Sequence, residues 1–160
     1  MPALDRSEKV TFQRKVSSLE GEMLSAAKML GDASNKIRYF KEAIKLVEAP
    51  YDELSKLIFN TDSKIKSINT SFYGNPLKSK LDIQEVPTAY GRLMSLLYEQ
   101  KYSTSSPTKT HLESFEIAEE EFTPIFNKIK NILEVDIKEI ENKLKTIKAP
   151  YTPGRLKPNN

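Results

Sequence analysis

His111 is the only histidine in the chain, and there is no cysteine. A zinc site needs at least two His or Cys ligands, and a di-iron bundle needs paired Glu-x-x-His motifs on facing helices, so neither can be assembled. The same count excludes disulfides, thiolate metal sites and Cys nucleophiles. His111 is expected in the first turn of a helix as a polar surface residue, so that His111→Ala leaves stability and binding unchanged. Glu119, Glu120 and Glu121, with Glu116 beside them, are the densest carboxylate run. Glycosidic acid/base chemistry needs two carboxylates across a cleft at a fixed separation, whereas consecutive residues of one helix point in different directions. A solvated helix face is the better account. No Gly-rich phosphate loop, G-x-S-x-G or Ser/His/Asp set can be built. Asn69-Thr70-Ser71 matches a glycosylation sequon but falls inside a predicted helix. Catalytic, cofactor-binding and metal-ligating residues are therefore expected to be none, and the chain is read as no enzyme.

The partners that charge and hydropathy allow are equally restricted. Lys and Arg number 25 against 22 Asp and Glu, a net charge of +3 spread along the chain. The densest basic stretch, with Lys36, Arg38, Lys41 and Lys45, is offset by Glu42 and Glu48. A nucleic-acid interface would cluster its cations with exposed aromatics between them, so no nucleic-acid partner is expected. No apolar run approaches about 18 residues, so no membrane span is expected either. Met1-Pro2-Ala3-Leu4-Asp5 lacks the apolar core of a signal peptide. It suits the start of a cytosolic protein or of a domain cut from a larger secreted chain. Tyr39, Tyr90 and Tyr98 fit core edges, while Tyr51, Tyr73, Tyr102 and Tyr151 fall at helix ends.

The elements that must position these side chains are helices. Phe12, Val16, Leu19, Met23, Ala26, Leu30, Ala33, Ile37, Phe40, Ile44 and Val47 recur in steps of four and three, the stripe of one long helix. A hydrophobic fraction of 38% and a charged fraction of 29%, with no period-two alternation, make the fold class all-α. Two long helices are predicted at about 7–47 and 108–148, each on the order of 60 Å, and two short ones at about 51–73 and 87–102. Gly21 and Gly31, among many small residues of the first helix, suggest close backbone approach by a partner. Ala49-Pro50 ends that helix. Leu54, Ile58, Thr61, Ile65, Ile68 and Phe72 form the second seam, stopped by Tyr73-Gly74-Asn75-Pro76. Residues 74–86 read as a loop that Leu77, Leu81 and Ile83 tack onto the bundle.

The third helix is expected to bury Tyr90, Leu93, Met94, Leu97 and Tyr98. The fourth starts with Ser106 as N-cap and Pro107 at N1, and continues through Leu112, Phe115, Ala118, Phe122, Phe126, Ile129, Leu133, Ile137, Ile140, Leu144 and Ile147. Pro124 should kink it. Short connections imply an elongated up-down-up-down four-helix bundle, a single domain over 1–160. The start of the first helix and the end of the last would then form a two-helix stalk with both termini at its base. Leu30→Asp or Phe126→Asp should unfold it by burying an unpaired charge.

The last residues carry a more specific signal. Leu133-Glu134-Val135-Asp136-Ile137 leads through Leu144 into Ala149-Pro150-Tyr151-Thr152-Pro153-Gly154-Arg155. Lys36-Ile37, Lys41-Glu42-Ala43, Phe72-Tyr73-Gly74, Arg92-Leu93 and Ser103-Thr104-Ser105-Ser106-Pro107-Thr108 agree in order. This pattern resembles the extreme C-terminus of large bacterial exported proteins related to sortilin, which carry BNR (Asp-box) β-propeller repeats and are commonly labelled glycosyl hydrolases. The chain departs from it in having Tyr151 where a tryptophan is expected. The resemblance implies a periplasmic or cell-surface C-terminal accessory domain whose parent's propellers do any catalytic work. No cofactor is implied. Tyr151, Pro153, Gly154 and Arg155 then become the candidate interaction residues, because Pro150 and Pro153 preset an extended backbone and Arg155 offers a planar five-donor fork. They would either pack against the bundle as a tail or dock onto the parent's propeller domains.

The leading expectation is thus a non-catalytic structural or interaction module of such a protein. The alternative is a free-standing intracellular coiled-coil adaptor, cytoplasmic, that self-associates along its stalk.

Overall fold

The computed structural model describes residues 3–48, 51–102 and 105–154. Every regular element among them is helical: α1 (Ala3–Lys45), α2 (Asp52–Tyr73), α3 (Pro76–Lys80), α4 (Ala89–Tyr102), α5 (Lys109–Asn131), a π-helical turn (Ile132–Asp136) and α6 (Ile137–Thr146). The chain divides into two compact units, one of Met1–Ala27 with Asn69–Phe126, the other of Lys28–Ile68 with Asn127–Asn160.

The seam of α1 is as its spacing dictates: Phe12, Val16, Leu19, Met23, Ala26, Leu30, Ala33, Ile37 and Phe40 are all buried. The stripe then moves to Ala43, leaving Ile44 half-buried. The last turn tightens, with Leu46 N–H donating to Ala43 O and Val47 N–H to Ile44 O, and the helix stops. Gly21 and Gly31 have open space where a Cβ would stand, so no partner backbone approaches there and the expected close contact is absent. They are weak positions that the long apolar seam tolerates.

In the first unit, the start of α1 packs on the start of α5, Phe12 against Phe115 with ring centroids 5.9 Å apart. The sequence led us to expect the start of the first helix beside the end of the last, and that pairing is not found. Its cause lies in the connections. The short link from Tyr102 to Lys109 folds α4 back antiparallel on α5, shown by Arg92–Glu121 at one end and His111–Glu99 at the other. The connection over 74–88 is longer, so it lets α4 begin beside the end of α2, Tyr90 lying 5.4 Å from Phe72. The rule that neighbours alternate in direction holds for short links and lapses for this one. Phe72 also meets Tyr73 and Phe122, which completes the aromatic centre of this unit. α4 buries Ala89, Leu93 and Leu96; of the predicted set Leu93 is buried, Tyr90, Met94 and Leu97 are half-buried, and Tyr98 is 68% exposed.

In the second unit, α1, α2 and the last helical stretch meet pairwise through ion pairs at the edge of an apolar core. Lys36 bonds Glu141 of α6 at 2.8 Å, Lys41 bonds Asp62 of α2 at 2.8 Å, and Lys64 bonds Asp136 of the π-turn at 2.7 Å. Leu54, Ile58, Thr61, Ile65 and Ile68 of α2 are buried as expected, with Ile37, Ile129, Ile132, Ile137, Ile140 and Leu144.

The π-turn is where the last helix departs from the predicted seam. Its apolar positions run Phe115, Ala118, Phe122, Ile125, Ile129, Ile132, then Ile137, Ile140 and Leu144. The first series continues to Asp136 and the second starts at Ile137, so the two are out of phase by one residue. A π-turn inserts one residue into an α-helix, and Ile137 N–H accordingly donates to Ile132 O. Asp136 and Ile137, adjacent in sequence, are both buried as a result. Phe126 and Leu133, on the seam that the sequence suggested, are half-buried one step from buried Ile125 and Ile132, and Leu112 is exposed. The helix begins at Lys109 with Thr108 before it, so Ser106 and Pro107 precede it and are not its cap.

Candidate functional site

The C-terminal tail begins where α6 ends. Lys148 adopts a left-handed backbone, φ 53°, and the amides after it turn back: Lys148 N–H donates to Lys145 O and Ala149 N–H to Leu144 O. That paired closure, usually made with glycine, drops Ala149 into the core. Gly154, also left-handed at φ 79°, lies so that a Cβ there would stand 3.5 Å from Lys36 Cε. Of the predicted interaction residues, Tyr151 is 43% exposed, Pro153 and Gly154 are exposed, and Arg155 lies outside the described residues. The segment therefore folds back within its own unit as far as Gly154. Thr152 is half-buried, its Oγ1 buried without a hydrogen-bond partner.

A second surface comes from the 74–88 connection. Gly74, left-handed at φ 91°, ends α2, and its N–H donates to Thr70 O. Asn75 then caps α3 by accepting from Leu77 N–H, with Pro76 at the first helical position. Glu85 bridges back to Lys78 at 2.8 Å and accepts the Asn75 N–H at 3.2 Å. The Lys78 hydrogen bond and then that backbone donor hold the Glu85 carboxyl below its ordinary value. This fixes a segment whose large apolar side chains face water: Leu77 is 67%, Leu81 71%, Ile83 51% and Val86 76% exposed. Leu77, Leu81 and Ile83 were expected as anchors onto the bundle. They are instead presented outward, because the polar bridges to Glu85 shape the segment.

The buried charges of the second unit are its most constrained polar groups. Asp62 takes hydrogen bonds from Lys41 and Lys66, each at 2.8 Å. Burial opposes its ionisation, but the two lysine hydrogen bonds outweigh that and hold its carboxyl below the usual range. Thr61 beside it returns its hydroxyl to Leu57 O at 2.9 Å. An open groove of about 430 Å³ in the same unit is lined by Tyr51, Asp52, Glu53, Leu54, Lys143, Thr146 and Ile147. It presents three apolar side chains against two carboxylates and a lysine. Among the described residues, no group of three or more His, Asp or Glu could hold a metal ion.

His111 is not a bare surface residue. Its side chain is 23% exposed, and Nε2 stands 2.7 Å from Glu99 Oε2 on α4. Its Nδ1 accepts the Thr108 N–H at 3.2 Å, and its own N–H donates to Thr108 Oγ1 at 3.3 Å. This is a capping box with histidine in the place normally held by Glu or Gln. The Thr-x-x-His spacing was visible in the sequence, but it reads as a box only once the imidazole is counted as an acceptor.

No helix among the described residues is long and apolar enough to cross a membrane. Compared with known proteins, the chain matches no family model, no curated protein and no solved structure.

Proposed function

We propose that this chain is a non-catalytic structural and interaction module at the C-terminus of a large exported β-propeller protein of the sortilin-related, glycosyl-hydrolase-labelled type, and that its partners are the propeller domains of the same parent chain. The observation that carries the interaction half of this reading is the run of exposed Leu77, Leu81, Ile83 and Val86 on a pinned connection. Large apolar side chains gathered in this way mark contact surfaces more often than single exposed ones do. The parent's identity rests on the Ala149 to Arg155 pattern and the shorter matches before it.

The first test is the gene upstream of this chain, where the reading requires propeller repeats and a signal peptide. An in-frame start at Met1 would reject the parent. The second is binding. Titrating the chain with the parent's propeller region should give saturable association, weakened at least tenfold by Leu81→Asp with Val86→Asp. The exposed run also suits a self-associating adaptor, and light scattering separates the two. A monomer at high micromolar concentration rejects the adaptor, and a concentration-dependent dimer sensitive to the same substitutions rejects the module.

A further inference from the structure

We propose that His111 is a protonation-controlled cap: its neutral ring accepts the Thr108 amide at the start of α5, and a proton on Nδ1 releases that amide while leaving the ring tied to α4. A backbone N–H can be given only to a lone pair, so the Thr108 N–H at 3.2 Å requires Nδ1 without a proton. The neutral ring then carries its proton on Nε2, directed at Glu99 Oε2 2.7 Å away. Both nitrogens are thereby used, and each bond fixes the other's tautomer.

Adding a proton has opposite effects on the two sides of the ring. Both nitrogens become donors, so Nδ1–H and Thr108 N–H oppose each other across the cap and that bond is lost. On the other side the Glu99 contact becomes a charge-assisted bond and tightens. Glu99 of α4 bonds the ring, and Lys9 of α1 lines a hollow of about 20 Å³ together with His111. Gln13 and Gln100 line the same hollow and are uncharged. On α5 itself, Lys109 and Glu113 pair with each other at 3.3 Å. Acidification therefore releases the Thr108 amide from the ring without separating α4 from α5, while the His111 N–H bond to Thr108 Oγ1 is kept.

NMR on the full chain between about pH 8 and pH 5 reads both sides of the ring. At the upper end, the long-range nitrogen spectrum should show His111 protonated on Nε2 and bare on Nδ1. Towards the lower end, the protection factor of the Thr108 amide should fall roughly fivefold or more, about the worth of one hydrogen bond. In His111→Gln, the glutamine oxygen supplies an acceptor that does not titrate, and the Thr108 protection factor should stay flat over the same range. The opposite tautomer, a Thr108 protection factor that ignores pH, or the same fall in His111→Gln would each overturn the proposal. Should the variant fold poorly, the tautomer and the wild-type Thr108 protection factor decide.

Discussion

At the scale of single residues, backbone conformation and buried charge set the clearest expectations. Lys148 holds a left-handed φ of 53° with an exposed side chain. A side chain bearing a Cβ pays about 1–2 kcal/mol there, whereas glycine does not. Lys148→Gly should therefore raise stability by about 1 kcal/mol, partly offset by the entropy glycine loses on folding, and thermal melts will show it. Asp62 sets a pH dependence. Its carboxyl is held below the ordinary range, so its pairing with Lys41 and Lys66 supports the fold above the unfolded-state value and is lost as pH falls through the folded one. Asp62→Asn should lower the urea midpoint at neutral pH. The difference from the parent chain should shrink towards about pH 2. An unchanged difference would mean that the lysines contribute nothing through that carboxylate.

At the scale of elements, the sequence was a good guide wherever one face is buried along its whole length. Nine consecutive seam positions of α1, Phe12 to Phe40, are buried as the four-and-three spacing requires, and so is the α2 stripe from Leu54 to Phe72. Periodicity fails where polar contacts shape the chain. Leu77, Leu81 and Ile83 are spaced like anchors, yet Glu85 fixes their segment by its bonds to Lys78 and Asn75. The resemblance pointed to Tyr151, Pro153, Gly154 and Arg155 but not to the left-handed turn at Lys148 that directs the tail. Nor could small side chains show whether a backbone comes close. Because Gly21 and Gly31 have open space around them, changing each to alanine should stabilise α1 by about 0.5–1 kcal/mol, measured by chemical denaturation. The π-turn was hidden for a different reason, since two apolar series one residue out of phase look like one slightly irregular seam. Deleting exposed Val135 should turn it into ordinary α-helix. Ile137, Ile140 and Leu144 would stay on the buried face, while Asp136 would leave Lys64. That variant should fold with its helix content intact by circular dichroism.

At the scale of the molecule, the boundaries between the two compact units fall inside helices. The first boundary, between Ala27 and Lys28, falls inside α1; the second, between Ile68 and Asn69, inside α2; and the third, between Phe126 and Asn127, inside α5. Ending the helical order of one unit at such a boundary would leave four carbonyls or four N–H groups in each interrupted helix without their intrahelical partners. Helix formation is also cooperative, so continuing an existing helix is easier than nucleating one. Independent melting of either unit should therefore be strongly disfavoured. Phe12→Ala in the first unit and Ile140→Ala in the second remove buried side chains, each at a cost of about 2–5 kcal/mol. Both should move one shared calorimetric transition to lower temperature, with the calorimetric and van't Hoff enthalpies remaining equal. Two resolved transitions, each responding to only one substitution, would show that the helices part at those boundaries and that each unit holds its own fold.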